Sequence, residues 1–406
     1  MKDTETVTVI VAVGAGSKYE TKKTNGISHF LEHMLFKGTK KRPKTKDISS
    51  ALDAVGGEYN AFTGKEQTAF FAKVDAKHLD LALDVMSDIY LNSKLEEKEI
   101  ERERGVIIQE INMYEDTPIA QIGDIFEGLL YGDQPAGWEI IGTKENVKGL
   151  RRADFLKYLK ENYTAPNTVV CITGNFDEKR AVRDIGKIFS EMPKVESREK
   201  LKVIEKQTEP KIKVKQKKTD QCHLVLGARA YDMFHPDRFT LSVLANILGG
   251  TMSSRLFLLV RERLGLAYYI SASYESYADS GYLAVKAGVG TEKEKIEKTV
   301  KTIVSEIRRI RKIRVGAKEL KKAKENIRGK MALSLESSDE IAGFLAGQEL
   351  AKKKIEAPEQ ILAKIDKVTA SDIMRVASKI FVNEKLNLAM IGPVEDKKFL
   401  EKILRI

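Results

Sequence analysis

Three residues near the start of the chain, His29, Glu32 and His33, have the types and the spacing needed to activate water on a metal ion. In a helix, histidines four residues apart lie about 40° apart around the axis, and Glu32 falls on the same side. Two neutral imidazoles can bind a metal, and the carboxylate can take a proton from a water that the metal activates. The order His-x-x-Glu-His predicts zinc-dependent hydrolysis, although paired helical histidines also occur without any metal.

A helix must position these side chains, and the apolar residues around them predict one. They recur at i, i+3, i+4, i+7 and i+8, which is the pattern of a buried stripe on an amphipathic helix. Thr24 or Asn25 can cap the start of this helix, and Gly38 can end it. The stripe consists of Ile27, Phe30, Leu31, Met34 and Leu35.

A catalytic zinc of this kind needs a third protein ligand, usually a carboxylate, and Glu110 is a candidate. It ends the segment 99–110, which is charged and then apolar and predicts a second helix. Glu103 precedes Glu110 by about two helical turns, so both carboxylates face the same way. Charged runs of this kind also form ordinary solvated helix faces, and the residues alone leave that alternative open.

Four segments together resemble the pitrilysin-type zinc metallopeptidases, or inverzincins, and in particular the branch of mitochondrial and bacterial processing peptidases. Their order and approximate spacing match over nearly the whole chain. The resemblance implies that His29, His33 and Glu110 bind Zn²⁺. It also implies that Glu32 is the general base and that Glu103 is a carboxylate that supports the metal-binding helix. The segments are HFLEHMLFKGT at 29–39, GGEYNAFTGKEQTAFF at 56–71, IERERGVIIQEINMYED at 100–116 and LGGTMSSRLFLLVRERLGLAYY at 248–269.

A β-hairpin is predicted where two strand-like segments, 58–63 and 67–71, flank Gly64 and Lys65. The resemblance implies that its segment Asn60-Ala61-Phe62 is an edge strand that takes the substrate backbone as an added strand. Such binding is largely independent of the substrate's sequence. The residues alone support only an ordinary hairpin within a sheet.

Arg261 and Tyr268, in the second half of the chain, match by the same resemblance an arginine and a tyrosine that help to hold the substrate carbonyl. A tyrosine hydroxyl near the metal can stabilise the oxyanion of a tetrahedral intermediate. Without the resemblance, Tyr268 would be interpreted as a packing aromatic.

The chain repeats itself. Residues 154–174 align without gaps to residues 372–392, an offset of 392 − 174 = 218, and each copy predicts an amphipathic helix, a short turn and an apolar strand ending at glycine. Residues 26–39 match residues 238–251 at an offset of 250 − 38 = 212. The second copy lacks the metal set, because His29, Glu32 and His33 are replaced there by Leu241, Leu244 and Ala245.

We therefore expect an α+β protein of two homologous domains, each a mostly antiparallel sheet packed with helices. The resemblance implies a clamshell arrangement of the two. Residues 1–192 would form the zinc-binding domain, residues 193–218 a polar and basic linker, and residues 219–406 the domain without a metal motif.

Composition excludes several other classes of protein. Two cysteines, Cys171 and Cys222, provide no disulfide framework. The net charge of +11 comes from Lys and Arg spread beside Glu along helices, so we expect a solvated surface and no nucleic-acid partner. Neither a signal peptide nor an apolar run of about 20 residues is seen, which predicts a cytoplasmic protein without a membrane partner.

Together these features predict a zinc-dependent endopeptidase that cleaves extended or unfolded polypeptides. Larger members of the resembled family carry four copies of this domain in one chain, with the metal set in the first half and the Arg-Tyr pair in the second. This chain has two copies and both elements, so the resemblance implies a homodimer with shared sites. The alternative is a non-catalytic or partner subunit of a processing-peptidase-like complex. Relatives of that kind have typically lost parts of the zinc motif, which is complete in this chain.

Overall fold

The chain forms two compact units. The structure is a computed structural model that describes residue 1, residues 4–352 and residues 354–406. Each unit is a sheet packed with helices, as the repeat predicts. The first unit consists of Met1–Asn112, Trp138–Leu201 and Ala332–Glu356, and the second of Met113–Gly137, Lys202–Met331 and Ala357–Ile406.

Strands and helices do not simply alternate along the chain, because several strands follow one another directly, as in an α+β fold. The strands are β1 (Thr6–Val13), β2 (Glu58–Thr63), β3 (Thr68–Asp75), β4 (Thr168–Gly174), β5 (Lys211–Gln216), β6 (Cys222–Arg229), β7 (Ala267–Ser276), β8 (Gly281–Val289) and β9 (Leu386–Gly392). The α-helices are α1 (Ile27–Leu35), α2 (Thr45–Asp53), α3 (Leu79–Asn92), α4 (Glu97–Asp116), α5 (Pro118–Tyr131), α6 (Lys144–Gly149), α7 (Arg152–Asn162), α8 (Glu178–Ile188), α9 (Arg238–Gly249), α10 (Lys293–Lys312), α11 (Ala317–Ser334), α12 (Ser338–Lys352), α13 (Pro358–Asp366), α14 (Ala370–Ile380) and α15 (Lys398–Ile403). A π-helix spans Phe257–Arg263.

The first sheet is antiparallel throughout, in the order β2-β3-β1-β4. Alternate residues of β1 face opposite sides of this sheet. Val7, Val9, Val11 and Val13 are buried in the core that also contains the apolar stripe of α1. Ile10 and Ala12 lie on the other face, against Ala342 and Ala346 of α12.

The second sheet has the order β5-β9-β6-β8-β7, and all its pairs are antiparallel except β5 with β9. Strand β5 lies inside the segment 193–218 that was predicted to be a linker, so that prediction is wrong for Lys211–Gln216. A basic alternating sequence is compatible with an edge strand, because its lysines can remain in solvent while the backbone pairs with β9.

Two helices pack in a different unit from the one that the predicted domain boundaries assign to them. Helix α5 belongs to the second unit and packs on β6 and β9, whereas α12 belongs to the first unit and packs on β1 and β4. The contiguous division into 1–192 and 219–406 is therefore wrong for these helices. An amphipathic pattern predicts that a helix packs on a sheet, but it does not specify which sheet.

The internal repeat is confirmed. Helix α7 and strand β4 become α14 and β9 when 218 is added to each bound, since 152 + 218 = 370 and 174 + 218 = 392. Helix α9 is the counterpart of α1 near the start of the second copy. None of the helices in the described part of the chain is both long and apolar enough to cross a membrane.

Candidate metal centre

Helix α1 presents His29, Glu32 and His33 on one side and buries its other side. All five residues of the predicted apolar stripe are at most 1% exposed, which confirms the stripe. The two imidazole rings lie side by side, with centroids 4.7 Å apart. The three polar side chains are only half-buried, so the chemistry-bearing face remains accessible.

A buried carboxylate, that of Glu20, holds the start of α1. Its two oxygens accept hydrogen bonds from the backbone N–H groups of Gly26 and Ser28, each at 2.8 Å. Gly26 is the N-cap residue, with a φ of 99°, so the expected side-chain cap by Thr24 or Asn25 is wrong. Burial raises the pKa of Glu20 to about 7, although these hydrogen bonds favour the charged form.

Helix α4 brings Glu110 to the two histidines. The Nε2 atoms of His29 and His33 lie 3.7 Å and 3.6 Å from the two carboxylate oxygens of Glu110. One ligand atom from each of these three residues lies within 4.8 Å of the other two. Burial raises the pKa of Glu110, and the nearby charge of Glu103 adds to that effect.

Glu103, two turns earlier on α4, is 3% exposed, so a solvated helix face does not describe it. One of its oxygens lies 2.8 Å from Nδ1 of His33, and the other lies 2.6 Å from Nζ of Lys37. Burial alone would raise the pKa of Glu103, but these two partners outweigh it and leave the pKa below its usual value. A carboxylate at Nδ1 leaves Nε2 of His33 as the nitrogen that can bind a metal.

His29 lacks such a support within the described residues, because its buried Nδ1 has no hydrogen-bond partner. Burial lowers the pKa of His29 to about 3, and the neighbouring His33 contributes to the decrease. The imidazole is therefore neutral at physiological pH, which is the form that binds metal. Two imidazole nitrogens and one carboxylate are the donor set of a catalytic zinc site, and these residues fit it.

Glu32 lies beside the three candidate ligands but does not belong to their group. Its Oε2 accepts a hydrogen bond of 2.5 Å from the hydroxyl of Thr63. Burial raises the pKa of Glu32, whereas the Thr63 hydrogen bond and His33 lower it. A carboxyl with a raised pKa suits a group that accepts a proton and later donates it.

The predicted hairpin is confirmed, and β2 is the outermost strand of the first sheet. Asn60 and Phe62 are exposed, whereas Tyr59, Ala61 and Thr63 are half-buried and face the other way. The free edge of β2 could accept a further strand.

Arg261 and Tyr268 lie in the second unit, each at a backbone irregularity. Arg261 belongs to the π-helix, and its guanidinium carbon lies 4.8 Å from the ring centroid of Phe257 and 5.8 Å from that of Tyr268. The pairing of β7 with β8 shifts register between Ala267 and Tyr269, so Tyr268 is the extra residue of a bulge. Its side chain is 73% exposed, which does not fit a packing aromatic.

Three contacts of this centre were not predicted from the sequence: those of Glu20, Lys37 and Thr63. Lys37 could have been found, because it lies four residues after His33 in the segment that was predicted to stay helical up to Gly38. No local pattern connects Thr63 or Glu20 to α1.

Comparisons with known proteins find similar sequences over nearly the whole chain. The family model described as insulinase (peptidase family M16) matches residues 1–144, and the model described as the peptidase M16 inactive domain matches residues 149–327. The uncharacterized zinc protease YmxG of Bacillus subtilis is 35% identical over 389 residues, which are 95% of this chain and 93% of that protein. An uncharacterized zinc protease of Mycobacterium leprae is 34% identical over 98% of this chain and 89% of that protein.

Solved structures show the same fold. A protease from Helicobacter pylori superposes with a TM-score of 0.90 at 24% identity, covering 97% of this chain and 95% of the other. A chain of complex III2 from Candida albicans superposes with a TM-score of 0.85 at 16% identity, covering 100% and 96%.

Proposed function

The chain belongs to the insulinase family of M16 peptidases, and from this we propose that it is a zinc-dependent endopeptidase that cleaves extended or unfolded polypeptides. The observation that carries the proposal is the convergence of His29, His33 and Glu110, with Glu32 beside them. Relatives of this chain are named zinc proteases, which supports the same metal.

In this proposal His29, His33 and Glu110 hold the zinc ion. When bound, zinc would supply Lewis-acid activation of a water and of the scissile carbonyl. Glu32 takes one proton from the attacking water while the oxygen of that water forms a bond to the carbonyl carbon. The same carboxyl then donates that proton to the leaving nitrogen as the C–N bond breaks. Glu103 holds His33 in the metal-binding tautomer, and Lys37 holds Glu103.

The substrate would bind as an added strand on the free edge of β2, along Asn60, Ala61 and Phe62. Backbone pairing of this kind requires an extended chain. Stable folded proteins should therefore resist cleavage, whereas flexible peptides should not.

Arg261 and Tyr268 would hold the substrate carbonyl, with the exposed Tyr268 hydroxyl stabilising the oxyanion. We propose that they act across a homodimer, so that the pair of one protomer completes the metal centre of its partner. Each dimer would then have two equivalent sites.

Metal content and peptide cleavage, measured on the same preparations, test the proposal. The purified chain should contain about one zinc per protomer, the stoichiometry of a three-ligand catalytic site. It should cleave an unstructured fluorogenic peptide, lose activity with a chelator and regain it with added zinc. A chain that binds zinc but leaves the peptide intact would instead favour a non-catalytic partner subunit.

A further inference from the structure

We propose that Thr63 is a positioning residue for the general base. Its hydroxyl holds one carboxylate oxygen of Glu32 and leaves the other free to take the proton from water. This inference rests on the proposed function, and it adds a residue of β2 that no comparison or motif assigns to the reaction.

The contact itself is short and specific. The Thr63 hydroxyl donates to Oε2 of Glu32 at 2.5 Å, within the range of a charge-assisted O–H···O hydrogen bond. Among the described residues, no other side chain or backbone group donates a hydrogen bond to this carboxylate. Oε1 of Glu32 therefore remains available on the half-buried face that also presents the two histidines.

The backbone around Thr63 is held in place. Thr63 pairs with Thr68 at the end of the β2–β3 ladder, and Gly64 N donates to Gln67 O at 2.8 Å to close the hairpin. Thr68 is fully buried, and its hydroxyl donates to the carbonyl of Ala15 at 2.9 Å. Because threonine is β-branched, its χ1 angle is restricted, so a fixed backbone also aims the hydroxyl.

A glutamate needs such a partner to act as a base. Its side chain has several rotatable bonds, and a general base must lie within hydrogen-bond reach of the proton that it removes. An error of 1 Å in such a placement can lower the rate about 100-fold. Strand β2 would thus serve two purposes, since its free edge takes the substrate and Thr63 places the base.

Two variants of Thr63 separate the hydroxyl from the rest of the side chain. Thr63→Val is nearly isosteric and removes the hydroxyl, whereas Thr63→Ser keeps it. Thr8→Val is a matched control, because Thr8 is a buried threonine of the same sheet whose hydroxyl lies 2.8 Å from Ser338 on the opposite face. All three are loaded with zinc and compared by zinc content, by thermal unfolding, and by kcat and KM on an unstructured peptide.

We expect Thr63→Val to lower kcat by about 10- to 100-fold while KM changes by less than about threefold, because base placement affects the transition state more than binding. Zinc content should not change, since the Thr63 hydroxyl bonds to Glu32, which is not one of the three grouped metal-binding residues. Thr63→Ser should keep most of the wild-type kcat, and Thr8→Val should keep the wild-type kcat.

Wild-type kcat in Thr63→Val, or a Thr63→Ser variant as slow as Thr63→Val, would overturn the inference. Crystal structures of the zinc-loaded wild type and Thr63→Val give a readout besides activity. The Glu32 carboxylate should occupy a different position in the variant from its position in the wild type. An unmoved carboxylate would also overturn it. A zinc-loaded wild type that does not cleave the peptide would instead refute the proposed function, and the structures would still decide whether Thr63 places Glu32.

Discussion

Helices α1 and α9 occupy equivalent places in the two copies of one fold, yet the face that carries His29, Glu32 and His33 in α1 is apolar in α9. Leu241 and Leu244, which replace His29 and Glu32, are fully buried, and Ala245 in place of His33 is 4% exposed. The second unit therefore packs this face of the helix into its core. Since the fold forms around α9 without a metal set, the polar residues of α1 are not needed to build it.

The polar face of α1 instead weakens the first unit in the absence of metal. The buried Nδ1 of His29 has no hydrogen-bond partner within the described residues. Groups of this kind are costly to bury unless they are well paired. We infer that zinc binding would stabilise the first unit by linkage.

Substitutions on α1 and α9 should differ most in their effects when the residue removed from α1 is a metal ligand. His33→Ala should lose bound zinc and all zinc-dependent cleavage, whereas Leu244→Ala should keep zinc and lose about 2–5 kcal/mol of the free energy of unfolding. Metal analysis and denaturant unfolding of both variants measure these effects. Zinc retained at full occupancy by His33→Ala would contradict the assignment of His33 as a ligand.

Glu32→Gln should abolish chemistry without removing the metal. We expect kcat to fall by about 10²- to 10⁴-fold, the usual contribution of a general acid–base group, with zinc content unchanged. The variant Leu244→Met, at the equivalent position of α9, is the control and should retain activity. Near-normal turnover by Glu32→Gln would exclude Glu32 as the base.

Glu103→Ala tests the support behind His33. Zinc affinity should fall by about 10- to 100-fold, as is usual when a hydrogen-bonded partner of a ligand is removed. Lys37→Met should have a smaller effect in the same direction, because Lys37 acts only through Glu103. Chelator competition measures both, and an unchanged affinity in Glu103→Ala would leave that residue only a structural role.

Mixing two inactive variants tests whether the two units cooperate between protomers. Glu32→Gln is defective in the first unit, and Tyr268→Phe is expected to be defective in the second. After full subunit exchange, about half of the dimers are mixed and each has one intact site of two, so activity should recover to about a quarter of wild type. No recovery after confirmed exchange would mean that the sites are not shared in this way.

The smallest effect concerns Glu20 at the start of α1. Its folded pKa of about 7 lies above the usual glutamate pKa of 4.5, so its favourable contribution is fully present below about pH 4.5 and is lost as pH rises through 7. Wild-type stability relative to Glu20→Gln should therefore decrease between pH 5 and pH 8, by at most about 3 kcal/mol. Urea unfolding of both proteins at these pH values measures the difference, and a difference that grows with pH would have the wrong sign.

Local periodicity and spacing were enough to predict much of the first unit. The apolar stripe of α1, the hairpin of β2 and β3 and the second helix with Glu103 and Glu110 follow from residues close together in the chain. The repeat was equally readable, because aligned copies with the same pattern form the same elements. The roles of Arg261 and Tyr268 came only from the resemblance, since neither a π-helix nor a bulge has a reliable pattern.

By itself, the sequence determined which residues share a helix face or a strand face, and hence that His29, Glu32 and His33 stand together. Only the tertiary structure decided that α5 and α12 pack on sheets outside their own halves of the chain, and that Glu20 and Thr63 contact α1. The physical reason is the range of each effect. Helical and strand periodicity depend on neighbours along the chain, whereas the partner of a buried face or a hydroxyl is selected by packing of the whole unit.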